Sequence, residues 1–391
     1  MKIIFNRTQI ISDITPLMCA VSGKSTLSTI DGILIEARIP DTCVFTTFDL
    51  EKGVRITVEA KVLEEGKFII NAQKFIQTLR VMNEDEVTLT IDNKLSATIF
   101  CGKSSHRMSA LVGEDFPSIP ELSSDRSFIV GQAVIKNMLG KVSFAMGVND
   151  QRVVLNGTFF KITDDSLMMV SCDSFKLAKC KETVELVNKN TNGNAHLDYS
   201  FIVPIKTVNE LVKLLDDDEE ALTQIFVTRK HIVFLIGEIT FFSRLIDGAY
   251  IDYDRIIISN HKISVKANKR ELISALERAA LVTEEKIAGS VRSYVKLDVA
   301  GELLKISAES TVGSTYDELA VEHEDKDIVI AFNNRYLMDS VRACDGEYVT
   351  LKMSTPLTSM NIEPCYDGKD EKKNDEIFML LPVRMKENYE G

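Results

Sequence analysis

The chain has 391 residues, 45% of them hydrophobic and 27% charged, and a formal net charge of −12. That composition excludes the disordered, fibrous and membrane-bundle classes, and the length suggests about three domains. An acidic chain lacks the overall basic footprint of a nonspecific nucleic-acid binder, so any such function has to rest on where the charge lies.

In chain order, apolar residues at helical spacing predict a first helix over residues 7–20, which Pro16 should kink or end early. Strands follow at 32–39 and 54–62, then a strand at 67–71 running into a helix at 73–82, then a hairpin of 87–91 with 96–101. The series restarts with a helix at 132–146 and strands at 153–162 and 167–172. The strand Phe201-Ile202-Val203-Pro204 then enters a helix at 205–215, before a hairpin of 224–228 with 232–237. A third round has a helix at 269–281, strands at 295–299 and 303–308, strand 327–333 into helix 334–343, and a hairpin of 348–353 with 358–363. The turn residues Asn71, Pro204 and Asn333 recur about 130 residues apart, so one domain is written three times.

Two similar passages, 111–120 and 245–253, close the first and second rounds. They place the domains at 1–123, 124–253 and 254–391, in an α+β fold of three repeated domains, each with two helices packed on antiparallel sheets. The charged segment 367–376 reads as a solvated hairpin loop, and the acidic run 216–220 as a solvated turn.

Chemistry is harder to find. Gly23-Lys24-Ser25-Thr26 imitates the end of a phosphate-binding loop, but Met18 stands where that motif needs its first Gly. The five histidines are scattered without metal spacing, and the seven cysteines are odd in number without CxxC pairs, reading as reduced and structural. The chain reads as no enzyme, with no cofactor and no metal. The first residues contain no long apolar stretch, and no run nears the roughly 20 apolar residues that cross a bilayer. A cytoplasmic protein without a membrane partner is therefore expected.

The six predicted helices hold twelve Lys or Arg (Arg7, Lys74, Arg80, Lys136, Lys141, Lys206, Lys213, Lys269, Arg270, Arg278, Arg335, Arg342) against five acids. Helices would then form a basic layer and sheets an acidic one, which suits a surface that meets phosphate while the outside repels it. Domains of about 130 residues have a radius of gyration near 14 Å, so three in a ring leave almost no hole whereas six leave one about 18 Å in radius. Six domains require two chains joined head to tail, and closure would also cover exposed sheet edges.

These residues match a known pattern. Arg152-Val153-Val154-Leu155-Asn156-Gly157, Cys172-Asp173-Ser174-Phe175-Lys176-Leu177-Ala178, Arg244-Leu245-Ile246-Asp247-Gly248, Arg278-Ala279-Ala280-Leu281-Val282 and Leu381-Pro382-Val383-Arg384-Met385 stand in the order and spacing of one family. Over essentially its whole length the chain resembles the bacterial DNA polymerase III beta subunit, the replication sliding clamp. The resemblance implies the DNA clamp fold and a homodimeric ring around duplex DNA without sequence readout. It also implies, as partners, a DNA polymerase III alpha-type subunit, a clamp loader and repair polymerases, each holding on through a short clamp-binding peptide.

The resemblance further implies a peptide pocket between the second and third domains, carried by Leu155, Cys172, Ser174, Phe175, Lys176, Leu177, Ile251, Arg255, Ile256, Leu357, Met379, Leu381, Pro382, Val383, Arg384 and Met385. An apolar floor with a few cations suits a peptide with Leu or Phe anchors. Phe175-Lys176 replaces the His-Arg common in the family, and Ile251 a frequent Pro. For DNA the resemblance implies Lys24 and the loop containing Asn149, Gln151 and Arg152; the charge distribution adds the helix cations Lys74, Arg80, Lys136, Lys141, Lys206, Lys213, Arg270 and Arg335. For the dimer contact it implies Leu281 and Val282 packing on the strand of His106, with Lys103 and Arg107 near Glu302 or Glu309. An acidic peptide-binding scaffold that never encloses DNA is the alternative.

Overall fold

A computed structural model describes the chain except residues 24–26, 192, 194–195, 284–293, 312, 367–373 and 386–391. Its α-helices among the described residues are α1 (Arg7–Ile14), α2 (Ala72–Val81), α3 (Gln132–Val142), α4 (Ile205–Leu214), α5 (Tyr253–Ile256), α6 (Lys269–Thr283) and α7 (Asn334–Ala343). Four of the strand-to-helix turns, before α1, α2, α6 and α7, are set by asparagine. The side-chain oxygens of Asn6, Asn71 and Asn333 accept from the backbone N–H of Gln9, Lys74 and Tyr336 at 3.0, 2.9 and 3.2 Å, and that of Asn268 from Arg270 and Glu271. Each supplies a partner to a helix-start donor that would otherwise have none.

Two predicted helices are shorter than their apolar spacing suggests. The first ends at Ile14 and continues as a 3-10 turn, Thr15–Ala20, with Pro16 at its start. The helix expected to reach residue 146 stops at Val142 and tightens into a 3-10 turn, Ser143–Ala145.

The chain forms two compact units. The first comprises Met1–Ala133, Leu186–Ala195 and Glu210–Leu245 and is built on a 14-stranded sheet. Strand Ile239–Arg244, from the second repeat, pairs antiparallel with Lys52–Glu59 of the first, with Phe241 opposite Val54. Sheets of successive repeats are therefore one ladder. Over that junction Phe116 packs with Leu34, Phe48, Ile69, Val233 and Phe242, and Leu111, Ile119 and Leu122 flank them, so the passage 111–120 is a lid on the sheet as well as a connection. Helix α2 buries Phe75, Ile76 and Leu79, and the Phe75 ring lies 6.4 Å from both Phe5 and Phe45.

The second unit comprises Val134–Glu185, His196–Asn209 and Ile246–Gly391, on a 12-stranded sheet. Here Lys176–Thr183 of the second repeat pairs with Asn374–Leu380 of the third, Leu177 opposite Met379. The expected strand 153–162 begins only at Gly157, because Val153–Leu155 is a 3-10 turn held by the next residue. Asn156 accepts from Asp150 N–H at 2.8 Å and donates to the Asp150 carbonyl at 2.9 Å. A side chain at Gly157 would meet the Val203 carbonyl at 2.4 Å, so only glycine lets these strands approach.

Candidate functional site

In the second unit, Leu155, Met168, Val170, Cys172, Leu177 and Met379 form a buried apolar cluster, with Val154, Phe159, Tyr250, Ile251, Tyr253 and Ile257 packed against it. Leu155, Cys172, Leu177, Met379 and Ile251 among the pocket residues implied by sequence thus come together. Phe159 stacks on Tyr250 with ring centroids 5.1 Å apart and lies 6.0 Å from Tyr253. Burial pushes the Cys172 thiol up to about 12, so it stays a protonated apolar wall.

Above this floor the turn 173–176 is shaped by Asp173, whose Oδ1 accepts the N–H groups of Phe175 and Lys176 at 2.7 and 2.8 Å. Leu381 N–H donates to the Phe175 carbonyl at 2.9 Å and Val383 N–H to the Ala331 carbonyl at 2.8 Å, so the segment through Pro382, Arg384 and Met385 is tied beside the turn. Exposed apolar side chains remain: Phe175 at 55%, Leu381 at 45%, Ile256 on α5 at 39%, and Leu357 at 71% in the bend between strands Tyr348–Met353 and Met360–Cys365. Leu357 does not belong to the buried cluster. Such exposure beside a built floor makes this a candidate recognition surface.

Sequence reasoning missed Met168, Phe159, Tyr250 and Tyr253. The alternation of Met168, Val170 and Cys172 along one strand was a usable signal for the first. The aromatics were not legible, because they arrive from segments far apart in the chain.

Arg152 and Arg255 near the cluster are tied to carboxylates, while Arg384 is exposed. Arg152 forks onto Asp150, with Nε–Oδ1 at 3.1 Å and Nη2–Oδ2 at 3.0 Å, and its Nη2 donates to Ser174 Oγ at 2.8 Å. The Arg152 side-chain hydrogen bonds to Asp150 hold that carboxyl below its ordinary range. Arg255 pairs with Asp252 at 2.9 Å.

Lys141 is a correction. Expected on a phosphate-facing helix surface, it is buried, and Nζ donates to Asp345 Oδ2 at 2.6 Å and Glu376 Oε1 at 2.7 Å, with Glu182 at 3.6 Å. Burial works against its charge, but the hydrogen bonds to Asp345 and Glu376 outweigh it and raise its pKa. Glu376, expected in a solvated loop, is the fully buried partner in strand Asn374–Leu380; residues 367–373 of that loop lie outside the described residues.

Of the other residues assigned to DNA, Lys74, Arg80 and Arg270 are exposed and make no ion pair among the described residues. Asn149 and Gln151 are exposed on the loop of Arg152, Lys206 is exposed and Lys136 half-buried. Lys213 pairs with Glu210 at 3.1 Å and Arg335 with Asp339 at 3.9 Å. Lys24 lies outside the described residues. Lys103, His106, Arg107 and Glu302 are exposed, Leu281 is 77% exposed, and Val282 is buried.

Comparison with known proteins identifies the architecture. The DNA polymerase III beta subunit N-terminal domain matches residues 1–120, its central domain 129–252 and its C-terminal domain 254–374. The chain belongs to the DNA polymerase III beta subunit family. It is similar to the beta sliding clamp of Staphylococcus epidermidis, 27% identical over 395 residues that span 98% of this chain and 99% of the relative. A crystal structure from Eubacterium rectale, ascribed to a DNA polymerase III beta subunit, is 26% identical with a TM-score of 0.88, covering 98% and 100% of the two chains. A DnaN sliding clamp from Pseudomonas aeruginosa bound to griselimycin shares the fold at 23% identity and TM-score 0.86, covering 98% and 100%. Members of this beta sliding clamp family are replication processivity factors without catalytic activity of their own. No helix among the described residues is long and apolar enough to cross a membrane.

Proposed function

We propose that two copies of this chain close head to tail around duplex DNA, in the cytoplasm, and tether a replicative polymerase through the surface of Phe175, Leu381 and the apolar cluster beneath. The observation that carries this reading is a pair of open strand edges, one in the first repeat and one in the third. Strand Ser104–Val112 pairs with Ser96–Cys101 through 104–109 and with Gly66–Asn71 only through 110–112, leaving one edge of 104–109 without a partner strand among the described residues. Strand Gly313–Glu322 is paired on one side only through 313–320. Open edges of this length invite pairing with another chain, and pairing the edge of the first repeat with that of the third on a second copy, twice over, would close a two-fold ring. His106 lies on the first edge, while Arg278 on α6 forks onto Asp317 of the second, which brings the helix of Leu281 to that edge.

Within that ring Lys74, Arg80, Arg270 and the loop of Asn149 and Gln151 supply phosphate contacts that are indifferent to sequence and weak enough for sliding. The apolar cluster takes the Leu or Phe anchors of short peptides from an alpha-type polymerase subunit, a clamp loader or repair polymerases. Retention on nicked circular DNA, lost when the circle is cut, tests this function. Retention that survives linearisation, or no retention at all, refutes enclosure and favours an acidic peptide-binding scaffold.

A further inference from the structure

Strand pairing in the first unit sets three polar side chains in one row. Arg55 stands opposite Thr46 of strand Thr42–Phe48 on one side and Thr240 of strand Ile239–Arg244 on the other. Phe45, the neighbour of Thr46, stacks with Phe75 of α2, so by the alternation of a strand Thr46 and Arg55 face away from that helix. On that side the row runs on into Leu34 and Leu235, which belong with Phe116, Ile119 and Leu122 to the apolar cluster under the lid. The Arg55 Nε–H and the Thr46 hydroxyl are buried, and neither has a hydrogen-bond partner among the described residues. Arg55 makes no ion pair among them either. In the next row on this face Glu36 and Lys67 satisfy each other at 3.4 Å. Arg55 is thus a half-buried guanidinium with a donor held out of bulk water and no described acceptor to meet it.

We infer that Arg55, with the Thr46 hydroxyl beside it, binds a carboxylate carried by an acidic segment of a partner protein. A buried donor left unpaired is costly, and an acceptor arriving from outside removes that cost. The guanidinium fork matches a planar carboxylate through two parallel N–H···O bonds. A phosphate dianion fits less well. It would meet a single guanidinium in a chain of net charge −12, and the cations Lys74 and Arg80 stand on α2, on the other face of the sheet. The partly buried Leu235, Ile119 and Leu122 flank the row and suit an apolar residue next to the acid. Thr46, Arg55 and Thr240 belong to none of the surfaces assigned above to DNA, self-association or the polymerase peptide, so the inference stands without the ring.

The test titrates the isotope-labelled full chain with a capped pentapeptide, Gly-Val-Glu-Val-Gly, and with its Gln counterpart, which lacks the charge. Nuclear magnetic resonance follows the Arg55 Nε–H signal, assigned by its loss in Arg55→Gln or Arg55→Lys. The Glu peptide should move that signal downfield to saturation, and the Gln peptide should bind at least about tenfold more weakly. Fluorescence polarisation with the same peptides, labelled, should show that Arg55→Gln erases the preference for Glu. Thr46→Val, close to threonine in shape, should weaken the Glu peptide about threefold or more while the Gln peptide holds. Inorganic phosphate should compete less tightly than the Glu peptide. An Nε–H signal that stays in place, or a preference for Glu that survives Arg55→Gln, overturns the inference. Phosphate competing more tightly than the Glu peptide overturns it too and makes the row an inorganic-anion site.

Discussion

Replacing Lys141 by Met tests the least expected site in the molecule. The side chain is 6% exposed and faces three carboxylates, of which Glu376 is fully buried. Removing the cation leaves buried charge uncompensated, which costs about 3–5 kcal/mol. In a unit of roughly 200 residues that lowers Tm by about 10 °C, read by differential scanning calorimetry. The loss should depend on pH. Burial first, then the neighbouring Asp345 carboxyl, raises Glu376 from its ordinary value to about 7. Between the ordinary carboxylate value and about 7 the native state holds a proton that the unfolded chain has released, so this group's contribution is complete at low pH and is lost as pH rises through about 7. Without Lys141 the ionised form is costlier still. The Tm difference between Lys141→Met and wild type should therefore be larger at pH 8 than at pH 5.5, and Lys141→Met/Glu376→Gln should recover most of it. Glu182 on the neighbouring strand, Cys180, Cys344 and Tyr366 face the same cluster, and their thiol and phenol protons stay bound across this range. An unchanged Tm, or a loss identical at both pH values, refutes the reasoning.

Leu281→Asp should weaken self-association at least about 30-fold in sedimentation equilibrium, since burying a leucine is worth about 2 kcal/mol, while the protomer's own Tm holds because that side chain is exposed. Lys74→Ala combined with Arg270→Ala should lower the slope of log K against log salt for duplex DNA by about 2, equally for any sequence. Asn333→Ala removes the cap of α7 and should cost about 1 kcal/mol, a Tm loss of a few degrees in a thermal melt.

What the sequence made legible was local. Asn71 and Asn333 announce their helices because a cap is decided within three residues, and Pro16 shortens the first helix for an equally local reason. What escaped depended on distant partners. Val153-Val154-Leu155 has a strand's composition, but Asn156 locks to Asp150 and makes it a turn. Lys141 resembles any helix cation until Asp345 and Glu376 arrive from 204 and 235 residues away. Glu376 shares a charged stretch with loop residues, and only the pairing of Cys180 with Glu376 carries it inside. Three repeats were visible in the sequence, whereas the fusion of their sheets was not, since pairing Phe241 with Val54 leaves no trace in either strand's composition.

That fusion has a mechanical consequence. Where Ile239–Arg244 meets Lys52–Glu59, and where Lys176–Thr183 meets Asn374–Leu380, consecutive repeats are stitched by backbone hydrogen bonds along whole strands. Bending at either seam would unzip a row of them together, so each unit moves as a stiff plate. In the ring proposed above, a gap that admits DNA would then open at contacts without such stitching rather than by bending either seam.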